Sequence, residues 1–145
     1  MTALQTRLGV SFRLTDGDLV LDGAEPALVA GQANLVQALT LRLLTPYGTD
    51  RVNATYGLDV RQALSGNNDR ATVKELIRLE VLRTLAADPR VSEVTSVLFD
   101  DDPEFLAQAG PAAGSQGRAS RVARVLVTVQ ATDDTTVPLV VDVER

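Results

Sequence analysis

Histidine and cysteine are both absent from the 145 residues of the chain. Histidine is the most frequent general acid or base and the commonest metal ligand, so its absence excludes most hydrolase triads and most zinc sites. The absence of cysteine excludes disulfides, thiolate metal sites and cysteine nucleophiles. Glycine-rich phosphate loops and nucleotide-binding fingerprints are absent too. We therefore expect no cofactor and no bound metal.

Aromatic residues are also scarce, and acidic residues outnumber basic ones. Aromatic residues make up 3% of the chain and tryptophan is absent, so the core must be built mainly from Leu, Val and Ala. The formal net charge is -5, which disfavours nucleic acid as a partner. No run approaches the ~20 apolar residues of a membrane helix, and the N-terminus lacks a signal pattern. We expect a protein that is made in the cytoplasm and does not insert into membranes.

The stretch 69–99 organises the rest of the chain. Its first part has helical spacing, with Val73, Leu76 and Ile77 on one side and Leu79, Leu82 and Leu85 beside them, and Asn68 or Asp69 can cap it. The helix breaks at Asp88-Pro89-Arg90, because proline cannot donate a backbone hydrogen bond and biases the preceding residue away from the helical region. An alternating strand, 91–99, follows. A second helix is predicted at 31–44, with an apolar stripe of Leu35, Val36, Leu39 and Leu43.

The two ends of the chain show strand patterns. Residues 8–14 alternate, the turn sequence Thr15-Asp16-Gly17-Asp18 follows, and 19–21 return, which predicts a hairpin before an extended connection at 24–30. At the other end, 121–131 and 137–143 predict a second hairpin, and Pro138 favours an edge position for its last strand.

The stretch at about 100–120 is rich in Ala, Gly, Gln and Ser and predicts a flexible loop in which 104–106 dock locally. The whole pattern predicts a single α+β domain over 1–145, with two main helices packed on a small, mainly antiparallel sheet that ends in a C-terminal β-hairpin.

Few residues suggest chemistry. Asp100, Asp101 and Asp102 could bind a divalent cation, but they lack the ligand spacing of a calcium loop, and a solvated acidic turn is the simpler interpretation. A muramidase-like glycoside hydrolase would need two carboxylates, which could come from Glu75, Glu80, Asp88 and Glu93. Nothing marks a groove between them, and we expect no catalytic residues.

Two charged residues have open roles. Glu80 falls on the apolar side of the long helix, where it either pairs with Arg90 or Arg42 or reaches water at the rim of the stripe. We call the break at 88–90, where the helix becomes the strand, the elbow. Arg90 either locks this elbow through a salt bridge or protrudes to dock a partner carboxylate.

The order of these features resembles the GPW-type baseplate wedge family of contractile phage tails, which also occurs in type VI secretion and extracellular contractile injection systems. The resemblance is carried by the helix that runs into Leu43-Leu44-Thr45-Pro46-Tyr47-Gly48, the Tyr56-Gly57 turn, the long helix, Asp88-Pro89-Arg90-Val91 and the last hairpin. The family's Glu-Pro-Arg motif appears with Asp88 in place of glutamate. The stretch 100–120 has no counterpart.

The resemblance implies a structural protein rather than an enzyme. Such proteins sit in several copies in the baseplate near the tube and spike, and they contact the other wedge proteins and the first sheath ring. The resemblance implies that Asp88, Pro89 and Arg90 contact the wedge. We expect a structural role for Glu80. Together with the exposed edge expected of the last strand, the resemblance suggests that sheath subunits add a strand along Val137, Leu139, Val141 and Val143. The chain would thus leave the cytoplasm as part of a phage tail or injection particle. A small binding module unrelated to such machines is the remaining interpretation.

Overall fold

The computed structural model describes residues 7–109 and 122–144 of the chain. Its two long helices are α1 (Gly31–Leu44) and α3 (Arg70–Ala86), and its shorter helices include α2 (Arg61–Ser65) and α4 (Pro103–Ala109). Six short strands precede α1: β1 (Val10–Phe12), β2 (Leu14–Thr15), β3 (Asp18–Leu19), β4 (Leu21–Asp22), β5 (Glu25–Pro26) and β6 (Leu28–Ala30). Three longer strands, β7 (Val91–Phe99), β8 (Val122–Ala131) and β9 (Thr136–Glu144), form one antiparallel sheet in the order β7-β8-β9. The predicted α+β class is confirmed.

The main core lies between one face of this sheet and the two long helices. On the sheet side it consists of alternate residues of the C-terminal hairpin, as the alternation predicts: Val125, Val127, Val129, Val137, Leu139, Val141 and Val143. On the helix side, α1 buries Leu35, Leu39 and Leu43, which confirms its predicted stripe. Helix α3 begins at the predicted cap, where the Asp69 carboxylate accepts a hydrogen bond from the Thr72 N–H. None of the helices within the described ranges is both long and apolar enough to cross a membrane.

The stripe of α3 differs from the prediction at two positions, Leu79 and Val81, the second of which the prediction did not include. Ile77, Val81 and Leu85 are buried against the sheet, while Leu79 is 49% exposed. Positions 77, 81 and 85 repeat every four residues along one face, and Leu79 lies two residues from Ile77, on the far side of the helix. The prediction gave too wide an apolar face to this helix.

Strand β7 does not alternate as the sequence predicts. Register shifts between Val91 and Glu93 and between Val94 and Ser96 are β-bulges, which bring Val91, Val94, Val97 and Phe99 toward the core. A bulge leaves one extra residue of the bulged strand outside the ladder, and here the hydroxyl group of each extra residue bonds the partner strand. The Ser92 Oγ donates to the Gln130 carbonyl at 2.9 Å. In the same way, the Thr95 Oγ1 donates to the Thr128 carbonyl at 3.0 Å.

The N-terminal arm, residues 10–30, contains more strand than predicted. The turn at Asp16 and Gly17, both with positive φ, confirms the first hairpin as β2–β3. A second two-residue turn at 23–24 makes the predicted extended connection into strands β5 and β6 instead. Gly23 supplies the positive φ that this second turn needs.

Three residues, seven positions apart, join the ladders of the arm in a closed ring. The Arg13 N–H donates to the Ala27 carbonyl at 2.8 Å, the Val20 N–H to the Arg13 carbonyl at 3.0 Å, and the Ala27 N–H to the Val20 carbonyl at 2.8 Å. The arm is therefore one hydrogen-bonded unit rather than a hairpin and a loose connection.

The predicted loop at 100–120 is only partly described. Its first part forms helix α4, in which Phe105 is fully buried, in agreement with local docking of 104–106. Residues 110–121, the greater part of the predicted loop, lie outside the described residues.

The loop between α1 and α2 is closed at its base by two backbone hydrogen bonds. The Leu58 N–H donates to the Thr45 carbonyl at 2.9 Å, and the Tyr47 N–H donates to the Leu58 carbonyl at 3.1 Å. Gly57 makes this closure possible for two reasons. Its φ of +110° is a conformation that residues with a side chain rarely adopt, and a Cβ at this position would lie 2.4 Å from the Thr45 carbonyl oxygen.

The substitution Gly57→Ala is expected to lower the free energy of unfolding by about 3 kcal/mol, through the sum of backbone strain and steric overlap. Gly48→Ala is the matched control, because Gly48 also has a positive φ but its nearest new contact would be an ordinary 3.9 Å. It should cost about 1 kcal/mol. Urea unfolding of both variants measures the difference, and equal losses would contradict the steric argument.

Candidate functional site

The elbow between α3 and β7 is closed by one acidic and one basic side chain. The Asp88 carboxylate accepts three hydrogen bonds from Arg90: from the backbone N–H at 3.0 Å, from Nε at 2.9 Å and from Nη2 at 2.7 Å. Asp88 is only 3% exposed. An aspartate is short enough to reach the N–H two residues ahead, which forms an Asx-turn around Pro89. The elbow therefore uses the aspartate that distinguishes it from the Glu-Pro-Arg motif.

Arg90 also ties the elbow to two distant segments. Its Nη1 donates to the Leu8 carbonyl at 3.2 Å, across 82 positions of sequence. Its own carbonyl accepts the Thr132 N–H at 3.0 Å, from the turn between β8 and β9. One residue thus joins the end of α3, the start of the chain and the C-terminal hairpin.

A buried asparagine completes this junction. The Nδ2 of Asn34, on α1, donates to the same Leu8 carbonyl at 2.9 Å, and its Oδ1 accepts from the Ser11 hydroxyl. The sequence prediction missed Asn34. The available signal was its position one residue before Leu35, within the face of α1 that becomes buried. A buried amide needs partners for each of its groups, and here they come from the N-terminal segment.

The charge state of the elbow follows from its geometry. Burial alone would raise the pKa of the Asp88 carboxyl, but the hydrogen bonds and positive charge of Arg90 outweigh this and hold the pKa below its ordinary value. The Asp88 hydrogen bonds raise the pKa of the Arg90 guanidinium. Both groups therefore stay ionised at neutral pH, and Arg90 has its carboxylate partner within its own loop.

Glu80 has a partner that the sequence prediction did not consider. Its carboxylate lies 2.7 Å from the Nη1 of Arg83, one turn further along α3, rather than beside Arg90 or Arg42. Helix geometry brings residues three apart to the same side, which explains the pairing. Glu80 and Arg83 line a cleft of about 340 Å³ together with Arg42. The guanidinium of Arg42 lies 4.7 Å from the centre of the Tyr56 ring, a cation–π contact.

The acidic turn at 100–102 packs against a basic face of α3 rather than standing free in solvent. Lys74 Nζ lies 2.9 Å from Asp101 and 2.6 Å from Asp102, and Arg70 pairs with Asp101 at 3.1 Å. No group of three or more possible metal ligands occurs within residues 7–109 and 122–144.

The two edges of the main sheet differ. On β7, the Val97 carbonyl accepts a hydrogen bond from Arg78 Nε at 3.2 Å, and the Phe99 N–H donates to the Asp102 carboxylate at 2.8 Å. Since the ladder alternates, the backbone groups of Val97 and Phe99 point away from β8. Side chains and two bulges therefore close this edge.

Strand β9 lies at the opposite edge and is regular along its nine residues. The Ala131 N–H donates to the Thr135 carbonyl, so in the alternating ladder the backbone groups of Thr136, Pro138, Val140 and Asp142 point away from β8. No described residue forms a backbone hydrogen bond to this outer side. The strand order confirms that Pro138 lies on an edge strand, as predicted, and the position of its missing N–H is on the open side.

The residues predicted for strand addition are not those whose backbone groups face the open edge. Val137, Leu139, Val141 and Val143 are buried in the core, and their backbone groups bond β8. The groups that face the open edge belong to the alternate residues. Strand addition itself remains a prediction, and so does wedge contact at the elbow.

The chain matches no protein-family model, no curated protein and no solved structure. The resemblance to the baseplate wedge family therefore rests on the sequence features given above.

Asp88→Asn should lower the free energy of unfolding at pH 7 by about 3 kcal/mol, because it leaves the Arg90 guanidinium partly buried without its counter-charge. Asp142→Asn is the matched control. Asp142 pairs with Arg124 at 2.9 Å on an exposed part of the sheet, where loss of a salt bridge costs about 0.5 kcal/mol. Urea unfolding measures both, and similar losses would contradict a structural role for the elbow pair.

Acid should remove the contribution of Asp88. Its pKa in the folded chain lies below the ordinary value of about 3.9, so its stabilisation is fully present above about pH 4 and is lost as the pH falls through the folded pKa. The difference in unfolding free energy between the wild type and Asp88→Asn should therefore shrink as the pH falls below about 4. A difference that stays constant down to pH 2 would contradict this assignment.

Proposed function

We propose that the chain is an assembly component that accepts a partner strand along the outer edge of β9. Following its resemblance, we propose further that it joins the wedge of a contractile baseplate to the first sheath ring and initiates sheath assembly. Its partners would be sheath subunits and other wedge proteins. The observation that carries the proposal is the contrast between the closed edge of β7 and the open edge of β9.

The contrast matters because an open edge is a liability for a free protein. Unpaired backbone groups on a long regular strand invite association with other strands, and proteins usually block them with bulges or charged side chains. Strand β7 has such protection through Arg78, Asp102 and two bulges. Strand β9 has no bulge, and its edge protection in the described residues is limited to Pro138 and the charge of Asp142. A regular strand with so little protection is the arrangement expected of a strand acceptor.

The edge also predicts how a partner strand would bind. Val140 and Asp142 each offer an outward N–H and an outward carbonyl, whereas Pro138 offers the carbonyl alone. A partner strand would therefore form its complete ladder along the C-terminal half of β9. At the elbow, Arg90 is already bound to Asp88 and Leu8, so a wedge contact there would use the exposed Pro89 and the outer surface of the turn.

The pairing of carboxylates supports a structural role over the hydrolase alternative. Three of the four candidate carboxylates are paired: Glu75 with Arg78, Glu80 with Arg83, and Asp88 with Arg90. The fourth, Glu93, is exposed on β7. A glycosidase needs one carboxyl with a raised pKa as the acid, and Asp88 shifts in the opposite direction.

Val140→Pro tests the proposal directly. It removes one outward N–H from β9 and no hydrogen bond to β8, and Pro138 shows that the strand accepts proline at an outward position. Val140→Thr is the matched control, since it keeps the N–H and a β-branched side chain. Co-expression with the sheath subunit, followed by co-purification, should show at least about a tenfold loss of sheath recruitment for Val140→Pro only, given a lost ladder bond and a steric clash.

Thermal unfolding establishes that the proline variant is folded. Asp142→Pro, which removes the next outward N–H, gives a second blocking variant if Val140→Pro lowers the melting temperature. A folded proline variant that recruits sheath as well as Val140→Thr would overturn strand addition along β9.

A further inference from the structure

The N-terminal arm has an apolar face that the rest of the described chain leaves open. Phe12 on β1 lies directly opposite Leu28 on β6. Val10 lies on the same face of the ladder, two residues before Phe12. Phe12 is 57% exposed, Leu28 55% and Val10 38%. Leu19 and Leu21, on the adjoining ladders, are also exposed. Five large apolar side chains therefore reach solvent from 21 residues of one hydrogen-bonded unit, a density typical of an interaction surface.

The other face of the same strands is anchored on α1. Val29 is buried there, and the Gln37 side chain donates to the Phe12 carbonyl at 2.8 Å and accepts from the Leu14 N–H at 2.9 Å. Contacts with α1 thus fix the backbone of the arm on its inner side. The ring of hydrogen bonds at Arg13, Val20 and Ala27 also links its ladders to each other. The apolar face is presented in a fixed conformation, which lowers the entropic cost of binding.

The arm that carries this face is acidic. The two turns of the arm carry Asp16, Asp18, Asp22 and Glu25, against the single base Arg13, so the arm has a net charge of -3 out of -5 for the whole chain. None of these four carboxylates forms an ion pair with a residue of the described ranges. They can therefore meet positive charge from outside.

We propose that the arm is a second docking surface, separate from the edge of β9, and that it binds a protein segment with apolar residues flanked by lysine or arginine. The apolar centre would cover Val10, Phe12 and Leu28, and the basic flanks would meet the carboxylates of the two turns. The charge disfavours the other occupants. A second copy would bring a second acidic arm, and nucleic acid and anionic lipid surfaces are themselves negative.

A photo-reactive residue at the centre of the face tests the proposal in the full chain. Phe12→p-benzoylphenylalanine changes an exposed aromatic residue into a larger one, and the protein is cross-linked in cells that produce it with its natural partners. Leu79→p-benzoylphenylalanine is the matched control, because Leu79 is exposed to a similar extent on α3. Mass spectrometry of the cross-linked peptide identifies the segment that is bound.

The cross-link from position 12 should map to an apolar segment with basic residues on both sides. It should fall at least about fivefold in Asp16→Asn/Asp18→Asn/Asp22→Asn/Glu25→Gln, from the loss of several rim charge pairs, and likewise in about 0.5 M salt. Glu93→Gln/Glu104→Gln neutralises two exposed carboxylates outside the arm and should leave the cross-link unchanged. Leu28→Ser should weaken it without lowering the melting temperature.

Four results would overturn the proposal: a cross-link to a second copy of the chain, one to a lipid or an acidic segment, one that does not respond to arm neutralisation, or the absence of any protein cross-link from position 12. None of these results bears on β9, because Val140→Pro leaves the arm intact and the arm variants leave β9 intact. The two docking surfaces are therefore tested independently.

Discussion

The fold depends on how Asp88 and Arg90 share one short loop. A buried carboxylate needs compensation, and the shortest available source is the guanidinium two residues away, held in place by the turn around Pro89. Once Arg90 is fixed in this way, its remaining Nη1 points at the Leu8 carbonyl and its backbone carbonyl meets Thr132. The local ion pair thus determines where the start of the chain and the C-terminal hairpin meet the elbow.

The main sheet shows how one strand can be adapted to two different neighbours. Strand β7 must follow β8 and also fit beneath α3, and its two bulges adjust the twist so that Val94 and Val97 both reach the core. Serine and threonine stand at the extra positions, and their hydroxyls donate to β8 carbonyls. Strand β9 also pairs with β8 and packs against α1, and it remains regular.

Local signals predicted the elements of the fold well. Proline at the elbow, glycine and aspartate in the first turn, and the strict alternation of the C-terminal hairpin each act over a few residues and were interpreted correctly. Two of the misses depend on contacts between distant residues: the bulges of β7 occur where α3 packs on the strand, and Asn34 bonds a carbonyl 26 positions away. The partner of Glu80 is local, because Arg83 lies one helical turn further along α3, but the prediction considered only Arg42 and Arg90. The second half of the arm was missed because two-residue strands carry almost no periodicity.

Pro138 has a consequence for symmetry. If two copies of the chain paired their β9 strands about a twofold axis centred on Val140, each Pro138 would stand opposite the Asp142 of the other copy, and the missing N–H would occur twice in one short ladder. A partner strand of different sequence meets this defect once, and a strand that spans only 140–144 does not meet it at all. A single proline in an open edge can therefore disfavour homodimers while it leaves a heterologous pairing almost undisturbed.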